Sequence, residues 1–571
     1  MKKIFLLFVL LFTSSTILFF NLNNNKDIDV IDEITYKEDK IEWEKYTTNE
    51  IVLNDNLKIT SPGIYKLSGN LDGNVTINTE GYVKIILSNA QITNNDGPAI
   101  MIEKAEKVYI ELEENTINKL VDDGTSEYDG VIYSTDDLVI DGLGTLEIEA
   151  NNKDGIVSKD NIVILNGNIN IISTDDGIRG KDYVDIINGN INITSTGDGI
   201  KTTNNTDLNV GYVFIANGTI NIESQKDGIV AEGDIKIENG IFNIKTGSGS
   251  SVTSKDSIMW NRFSLNNTET VSKKAIKARS NIKIENGTFN INSEDDSIHS
   301  NSNIEIDDGI FELSSGDDGI HADTSLIINN GKIIIDKSYE GLESSKITIN
   351  DGVINVTTSD DGINVGGGND QSAVNRPGAN NYTNNSSYLL TINNGNIYID
   401  STGDGLDSNG KIIMNNGTVL VDGPTDNGNG ALDYGNEFII NGGILVAVGS
   451  SGMAESTSDN SKQNSVLINF SSSFNANTII NIENIITYCP SKKYSSIVVS
   501  TPDIELNKSY DINVGGTANG ELMNGLYINE TYENGNLYQT YIQSSIATKV
   551  GSFNNMGGMP SEGGNPHGRR R

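Results

Sequence analysis

One short phrase recurs along most of this chain of 571 residues: alternating apolar and polar residues, then Asn-Gly, then the same alternation again. Most copies follow one another after 21 to 23 residues, and the longer gaps equal one such unit plus an insertion. A unit this short cannot bury an apolar face alone, so it must stack on its neighbours. The aligned glycines are Gly144, Gly167, Gly189, Gly218, Gly240, Gly287, Gly309, Gly331, Gly352, Gly395, Gly417 and Gly442.

Alternation with a period of two indicates β-strands rather than helices. Two short strands flank the Asn-Gly turn and a third segment follows at the phrase Asp-Gly-Ile, so each unit makes one triangular coil. The sequence therefore predicts an all-β fold, a single-stranded parallel β-helix with three short strands per coil of about 22 residues. A right-handed turn is expected from the general chirality of parallel crossovers. The β-helix is predicted over residues 61–450 and a C-terminal β cap over 451–550.

The two ends of the chain differ from this body. Lys2 and Lys3 precede an apolar run, so residues 1–25 are predicted to be a signal sequence or an N-terminal membrane anchor. Residues 26–60 are predicted to be a charged linker and lead-in, and residues 551–571 a disordered tail. The expected location is outside the cell, either secreted or anchored at the cell surface.

The formal net charge of −37 restricts the partners. Nucleic acid is excluded, because binding to phosphates needs patches of lysine and arginine. An acidic surface suits metal cations or neutral polymers, and it holds an acidic polymer only where cations bridge the two. The single cysteine, Cys489, excludes an internal disulfide bond. We expect a monomer.

Two turn columns carry different residues. The column before the aligned glycine is nearly all asparagine, which tolerates left-handed backbone and can form a hydrogen-bonded ladder. The column before the Gly-Ile phrase has nine acids in eleven positions and no asparagine. Carboxylates stacked about 4.8 Å apart repel one another by roughly 1 kcal/mol in water. The members of this acidic column are Asp154, Asp176, Asp198, Asp227, Lys274, Asp296, Asp318, Glu340, Asp361, Asp404 and Gly430.

Carboxylate clusters without cysteine suit a hard cation with many oxygen ligands, and calcium is the expected ion outside the cell. Solvated Asp-Gly turns without an ion are the alternative. The candidate calcium ligands are Asp175, Asp176, Asp198, Asp295, Asp296, Asp317, Asp318, Asp360, Asp361, Asp404 and Asp407.

The column just after the isoleucine changes from basic through histidine to acidic residues, which suggests a binding groove. Two insertions, at about 247–273 and 366–388, bring aromatic and basic residues that could stack on sugar rings; poorly ordered polar loops are the alternative. A stacked histidine pair is more often structural or ligand-binding than catalytic, and no catalytic residue is assigned. The candidate carbohydrate-binding residues are Trp260, Arg262, Lys277, Arg279, His299, His321, Arg376 and Tyr382.

Several longer phrases are more specific than the repeat, among them SPGIYKLSGNL, SGDDGIHAD, SDDGINVGGGND and GMAESTSDNSKQNSVLINF. Over about residues 46–545 they resemble the bacterial carbohydrate-binding β-helix proteins related in fold to family-9 polysaccharide lyases. The resemblance implies a right-handed β-helix, binding to cellulose-like or acidic plant polysaccharides, and calcium chiefly at the doubled aspartates 295–296, 317–318 and 360–361. The related lyases hold calcium in a D-D-G-x-D cluster and use a lysine as base. Here Gly403 replaces the first aspartate of that cluster.

Three functions therefore remain open. The first is a non-catalytic, calcium-dependent polysaccharide-binding protein, in which calcium bridges the acidic face to sugar carboxylates. The second is a calcium-dependent pectate or polysaccharide lyase, in which a lysine or arginine removes the proton at C5. The third is a structural surface protein or adhesin without a sugar ligand.

Overall fold

The computed structural model describes residues 31, 34–37, 40–122, 124, 126–207, 209–251, 271–366 and 387–552. The chain divides into two units, Met1–Ile41 and Glu42–Arg571. The described helix of the second unit is a single 3-10 turn, Trp43–Lys45. No helix in the described ranges is long and apolar enough to cross a membrane. The predicted signal sequence or anchor lies outside the described residues, as does nearly all of the predicted tail.

Three ladders of parallel strands form the second unit, and most coils contribute one strand to each ladder. The first ladder contains Thr48–Leu53, Gly63–Asp72, Tyr82–Asn94, Lys107–Leu112, Leu138–Gly142, Asn161–Ile164, Tyr183–Ile186, Tyr212–Ile215, Ile235–Ile237, Ile282–Ile284, Asn303–Ile306, Ser325–Ile328, Lys346–Ile349, Leu389–Ile392, Lys411–Met414 and Glu437–Ile440.

The second ladder begins in the later halves of two of those long strands, Gly63–Asp72 and Tyr82–Asn94. It continues through Ile117–Asp122, Thr145–Ala150, Asn168–Ser173, Asn190–Ser195, Thr219–Ser224, Ile241–Thr246, Thr288–Asn292, Ile310–Ser314, Lys332–Ser338, Val353–Thr358, Asn396–Ser401, Thr418–Asp422 and Ile444–Gly449.

The third ladder contains Leu57–Ile59, Val75–Asn78, Ile100–Lys104, Gly130–Ser134, Asp154–Ser158, Ile178–Gly180, Ile200–Thr202, Ile229–Ala231, Ile276–Ala278, Ile298–Ser300, Ile320–Ala322, Leu342–Ser344, Ile363–Val365, Leu406–Ser408 and Leu432–Tyr434. The predicted fold class, a parallel β-helix of three-stranded coils, is confirmed. The coils begin earlier than the predicted boundary at residue 61, because Thr48–Leu53 pairs in parallel with Gly63–Asp72.

The core lies between the three ladders and consists of stacked isoleucine, valine and leucine. In the second ladder three phenylalanines occupy the same inward position of successive coils. The ring of Phe289 stacks on Phe242 and on Phe311, with 4.6 Å between ring centroids in both pairs. In-register stacking of this kind explains why the repeat keeps its spacing so strictly: a slip of one residue would turn the apolar side chains outward.

The predicted asparagine ladder is present in part, since Asn416 donates to Asn394 Oδ1 at 3.3 Å. A longer asparagine ladder, which was not predicted, lies two residues before the aligned glycine. The carboxamide of Asn350 donates to Asn329 Oδ1 at 2.7 Å, and that of Asn393 donates to Asn350 Oδ1 at 2.7 Å. The next residue instead caps its own turn, as where Asp351 Oδ1 accepts the backbone N–H of Gly352 at 2.8 Å.

The glycine of the Asp-Gly-Ile phrase is required by close packing between coils. A Cβ atom on Gly199 would lie 2.5 Å from the carbonyl oxygen of Gly228 and 2.7 Å from Ile222 Cγ2. The carbonyl belongs to the parallel ladder and cannot move away independently. A side chain at this position would therefore force two coils apart.

We expect Gly199→Ala to lower the free energy of unfolding by about 1–3 kcal/mol, the usual range for overpacking a well-packed interior. Urea unfolding followed by circular dichroism measures the loss. Gly428→Ala is the control, because a Cβ atom there meets only the side-chain oxygen of Asp426, at 3.1 Å. Equal stability of the two variants would contradict the close-packing explanation.

An antiparallel region covers the C-terminal end of the coils. Ser465–Phe474, Tyr494–Ser500 and Ala547–Gly551 extend the sheet beyond the last coil. A separate six-stranded sheet consists of Ile480–Ile482, Ile486–Tyr488, Ser509–Val514, Thr517–Met523, Leu526–Glu533 and Asn536–Ile542. It packs on the outer side of the second ladder's last coils.

Buried Asp422 of the second ladder anchors that sheet, since it accepts a hydrogen bond from the hydroxyl of Tyr488 at 2.9 Å and one from the N–H of Ser491 at 2.9 Å. It also accepts one from Tyr398 of its own ladder at 3.1 Å. Within the described part of this unit, the six-stranded sheet does not extend over the ladder's earlier coils.

Candidate functional site

The acidic column lies at the turn that leads into the third ladder, and its carboxylates bind backbone of the next coil. The N–H of Asp176 donates to Asp154 Oδ1 at 3.0 Å, and that of Asp198 donates to Asp176 Oδ1 at 2.8 Å. The same bond joins Asp227 N–H to Asp198 Oδ1 at 2.9 Å. These bonds connect neighbouring coils along much of the column, a role that sequence analysis did not foresee. The connection is interrupted at Lys274, which has no carboxylate, so Asp296 N–H donates to Asp295 Oδ1 instead.

The connection also crosses both insertions. Lys274 N–H donates to Asp227 Oδ1 at 2.8 Å, and Asp404 N–H donates to Asp361 Oδ1 at 2.6 Å. It ends where Gly430 N–H donates to Asp404 Oδ1 at 2.5 Å, because Gly430 has no side chain to continue it.

In the N-terminal coils the second carboxylate oxygen has a cationic partner. Arg179 Nε donates to Asp154 Oδ2 at 2.7 Å, and Lys201 Nζ donates to Asp198 Oδ2 at 2.6 Å. These basic residues belong to the graded column that follows the isoleucine. The coils before residue 230 therefore neutralise much of their own acidic charge.

The doubled pair Asp295–Asp296, a predicted calcium site, also has a cation supplied by the chain. Lys274 Nζ lies 2.6 Å from Asp296 Oδ2 and 3.0 Å from Asp295 Oδ1. Burial opposes ionisation, but Lys274 and His299 outweigh it and hold the pKa of Asp296 well below its usual range. The pair Asp175–Asp176 is similarly close to Lys226, whose Nζ lies 3.3 Å from Asp175 Oδ1. Both pairs also belong to carboxylate clusters with oxygens within 4.8 Å of one another, Asp154 with Asp175 and Asp176, and Asp295 with Asp296 and Asp317, so calcium at these pairs stays a prediction.

His299 and His321 are adjacent, as predicted, with 4.7 Å between ring centroids. His299 Nδ1 lies 2.8 Å from Asp296 Oδ2, and His321 Nδ1 lies 3.1 Å from Asp318 Oδ2. The two rings are 3% and 0% exposed. A sugar cannot reach them, so their predicted role as direct carbohydrate contacts is not supported by the structure.

The two remaining described candidates for sugar contact lie on the third ladder. Lys277 is partly exposed and its Nζ lies 3.0 Å from Ser272 Oγ, while the exposed guanidinium of Arg279 pairs with Glu232 at 3.3 Å. The other four candidates, Trp260, Arg262, Arg376 and Tyr382, lie outside the described residues.

From Glu340 onward the column loses its cations. Asp361, Asp404 and Asp407, hereafter the acidic end, each bring a carboxylate oxygen within 4.8 Å of the other two. In the described part of the chain no lysine, arginine or histidine forms an ion pair with any of the three. With respect to the described residues, all three side chains are partly exposed. Asp360 precedes the acidic end, and Asp433 follows in the next coil.

The lack of cations shows in the pKa values of this region. Burial, followed by Asp433 and Asp360, raises the pKa of Asp404 to about 7. Burial, with Asp404 and Asp433, raises the pKa of Asp407 to about 8. The pKa of Asp361 is also well above its usual range, chiefly because of burial and the neighbouring Asp360. The acidic end therefore carries its charge at a considerable energetic cost at neutral pH.

A second feature, missed by sequence analysis, is a shallow polar groove of about 480 Å³ on the outer face of the second ladder. Its base is a row of carboxamides from successive coils, in which Asn221 donates to Asn192 at 2.7 Å and Asn243 donates to Asn221 at 2.7 Å. The pair Glu223–Lys245 lines one side, at 2.8 Å. The sequence did contain a pattern that could have predicted this groove. Each coil that lines it has an asparagine three residues after the aligned glycine.

Fold and site together define a parallel β-helix with an acidic turn column along one ladder and a polar groove along another. Residues 53–319 match the model of a family described as carbohydrate-binding domain-containing protein. The family resemblance carried by the sequence motifs is confirmed. The acidic end lies beyond the matched residues.

Among similar proteins, a carbohydrate-binding domain-containing protein of Acetivibrio thermocellus is 35% identical over 154 residues, which are 25% of this chain and 54% of that protein. The match thus spans about half the length of this curated relative. A solved structure described as the polysaccharide lyase-like protein from C. thermocellum, a gadolinium derivative, is 32% identical. The match covers 35% of this chain and 91% of that chain, with a TM-score of 0.33.

Proposed function

We propose that this protein is a non-catalytic, calcium-dependent polysaccharide-binding protein that works outside the cell. One observation carries the calcium part: the acidic end gathers Asp361, Asp404 and Asp407 without a cation, whereas the earlier coils of the same column supply their own. The family whose model matches residues 53–319 supports carbohydrate as the ligand. The apolar N-terminal run supports an extracellular location.

The residues of the acidic end fit calcium. Carboxylate oxygens are the ligands that calcium prefers, and it takes six to eight of them in flexible geometry. Three aspartates provide fewer than that, so coordination positions remain for water and for sugar oxygens. Bound calcium would offset the repulsion among these carboxylates and would let an acidic face hold an acidic polymer such as a polyuronate.

The groove on the second ladder suits uncharged, cellulose-like polysaccharides, which are one of the two predicted classes of ligand. Carboxamides donate and accept hydrogen bonds, and the row repeats at the strand spacing of about 4.8 Å, so it offers a regular series of partners for sugar hydroxyls. The ion pair that lines the groove, Glu223–Lys245, adds no net charge to it. We assign it to neutral sugar hydroxyls and the acidic end to sugar carboxylates.

The distance between Lys277 and the acidic end favours binding over lyase activity, because a lyase needs a basic side chain close to its metal ion. In the register of the third ladder, Lys277 is separated from Asp407 by five strand steps through His299, His321, Glu343 and Asn364. At about 4.8 Å per step this distance is roughly 24 Å. A metal at the acidic end and a base at Lys277 could not act on the same sugar ring.

Polygalacturonate binding tests the proposal. We expect calcium to support binding and a chelator to remove it, and we expect Asp407→Asn to weaken calcium-dependent binding at least tenfold because one charged ligand is lost. Affinity electrophoresis or calorimetry with added calcium measures the change. Asp336→Asn is the matched control, since it removes an equal charge from an exposed site on the second ladder.

Binding that persists unchanged in chelator would contradict the calcium dependence. Unsaturated, ultraviolet-absorbing product would show a lyase instead. A folded, calcium-loaded protein that binds neither polygalacturonate nor cellulose would favour the structural surface protein.

A further inference from the structure

A buried triad on the third ladder is chemically different from the acidic end. Asp318 and His321 belong to one coil, and Glu343 is the register partner of His321 in the next. His321 Nδ1 lies 3.1 Å from Asp318 Oδ2 and 3.1 Å from Glu343 Oε2. The side chain of His321 is 0% exposed, that of Glu343 3% and that of Asp318 7%. One imidazole nitrogen thus faces two carboxylates in a closed space.

The spacing of these atoms matches ligand atoms around a small divalent ion. With bonds of about 2.1 Å, neighbouring ligands of an octahedral or tetrahedral ion stand roughly 3.0–3.4 Å apart. One imidazole nitrogen with two carboxylate oxygens suits zinc, manganese, iron or cobalt in the divalent state. Calcium is disfavoured here because it takes oxygen ligands.

The other side of the imidazole ring provides an independent observation. His321 Nε2 lies 3.2 Å from Asp323 Oδ1, on the side of the ring that faces away from Asp318 and Glu343. Metal-binding histidines almost always donate their second ring N–H to a carboxylate, a carbonyl or a water, which fixes the tautomer and the ring plane. Asp323 is within reach of this nitrogen, although in the present geometry Nε2 has no hydrogen bond. Nδ1 is the nitrogen that faces Asp318 and Glu343.

The preceding coil has a similar arrangement, but there a lysine side chain occupies the position that a metal ion would take. There His299 Nδ1 lies 2.8 Å from Asp296 Oδ2, and the ammonium of Lys274 lies 2.6 Å from the same oxygen. The second nitrogen of His299 faces the carboxamide of Asn301, at 2.9 Å, rather than a carboxylate. In the ranges that the structure describes, neither lysine nor arginine pairs with Asp318.

We propose that Asp318, His321 and Glu343 bind a transition-metal dication through Nδ1 and two carboxylate oxygens, with Asp323 as the positioning residue behind the ring. The ion would join two successive coils from inside the turn. This site does not depend on the proposed function, because it shares no ligand with the acidic end and selects a different class of metal.

Cobalt is the probe, because divalent cobalt bound by nitrogen and oxygen ligands absorbs visible light. The full-length, untagged protein is freed of metal with a chelator, equilibrated with cobalt in the presence of millimolar calcium, and dialysed. We expect one cobalt ion per chain, a visible absorption band, and release of protons, since histidine and carboxylates bind metal in their deprotonated forms. Zinc is expected to displace cobalt and remove the band.

Variants locate the ion. His321→Gln and Glu343→Gln are each expected to lower cobalt affinity at least tenfold, whereas His299→Gln and Asp407→Asn are expected to leave it unchanged. Glu343→Gln keeps the shape of the side chain, so it tests the site even if His321→Gln does not fold. Circular dichroism establishes that each tested variant is folded.

No cobalt retained by the folded wild-type protein overturns the proposal. So does retention that is equal in Glu343→Gln and the wild type, or loss in Asp407→Asn with no loss in Glu343→Gln. Calcium is present in every sample. The cobalt result can therefore be interpreted even if the acidic end turns out not to bind calcium.

Discussion

Asp407→Asn should make the calcium-free protein more stable at pH 8 and should remove most of the stabilisation that calcium adds. The side chain is partly buried among Asp361, Asp404 and Asp433, and no cation offsets its charge in the described structure. An amide of the same shape removes that repulsion. It also removes one calcium ligand, so the same substitution has opposite effects without and with the ion.

The pH dependence of the wild type follows from the same groups. Their pKa values are raised in the folded protein, to about 7 for Asp404 and about 8 for Asp407, above the unfolded value of about 4. Folding therefore favours the protonated forms. The stability that these two groups contribute is fully present below pH 4 and is lost as the pH rises from 4 to 8. Each unit of pKa shift corresponds to about 1.4 kcal/mol before solvent screening reduces it.

Thermal melts between pH 5 and 9, with chelator and with millimolar calcium, measure both effects. In chelator we expect the melting temperature to fall by several degrees over this range, and calcium should reverse most of the fall. Asp336→Asn serves again as control, because its carboxylate is exposed and lies outside the acidic end. A melting temperature that is independent of pH in chelator would contradict the proposed cost of the acidic end.

Phe289→Ala should lower the free energy of unfolding by about 3–5 kcal/mol, the usual loss when a buried aromatic ring is removed. Phe289 is 1% exposed and its ring contacts stacked partners on both sides. The parallel ladder fixes the distance between the neighbouring coils, so the space cannot close. Urea unfolding, with attention to both midpoint and slope, measures the loss.

Phe289→Leu is the control for this substitution, because it keeps an apolar side chain in the stack and should cost clearly less. A lower slope in the alanine variant would show that the coils around the cavity unfold separately, as neighbour-dependent stacking in solenoids allows. A loss below 1 kcal/mol would contradict the view that the stacked rings are a major part of the core.

The repeat was sufficient to predict the fold because period-two alternation, the turn glycines and the 22-residue spacing all depend on local chain chemistry. The adjacency of His299 and His321 followed from the same register. The start of the coils was missed because Thr48–Leu53 has no Asn-Gly phrase and joins the ladder through strand pairing alone.

The candidate site was less predictable, because charge compensation acts between coils. The sequence shows aspartates at every turn but does not show that Lys274 reaches Asp295 and Asp296 from the coil before. Nor does it show that column aspartates accept the N–H of the next coil, which explains aspartates at these turns without any ion. The difference between the compensated coils and the acidic end became visible only with side-chain positions.

The bonds from column aspartates to the next coil also bear on how this protein could change over time. Across the two insertions the bond joins residues 47 and 43 positions apart, compared with 22 in an ordinary coil. Doubling the length of a flexible loop adds only about 0.6 kcal/mol to its closure entropy, less than one charge-assisted hydrogen bond contributes. Segments of similar length but unrelated sequence could therefore replace either insertion, and the protein could acquire new binding specificities at two places while its body stays the same.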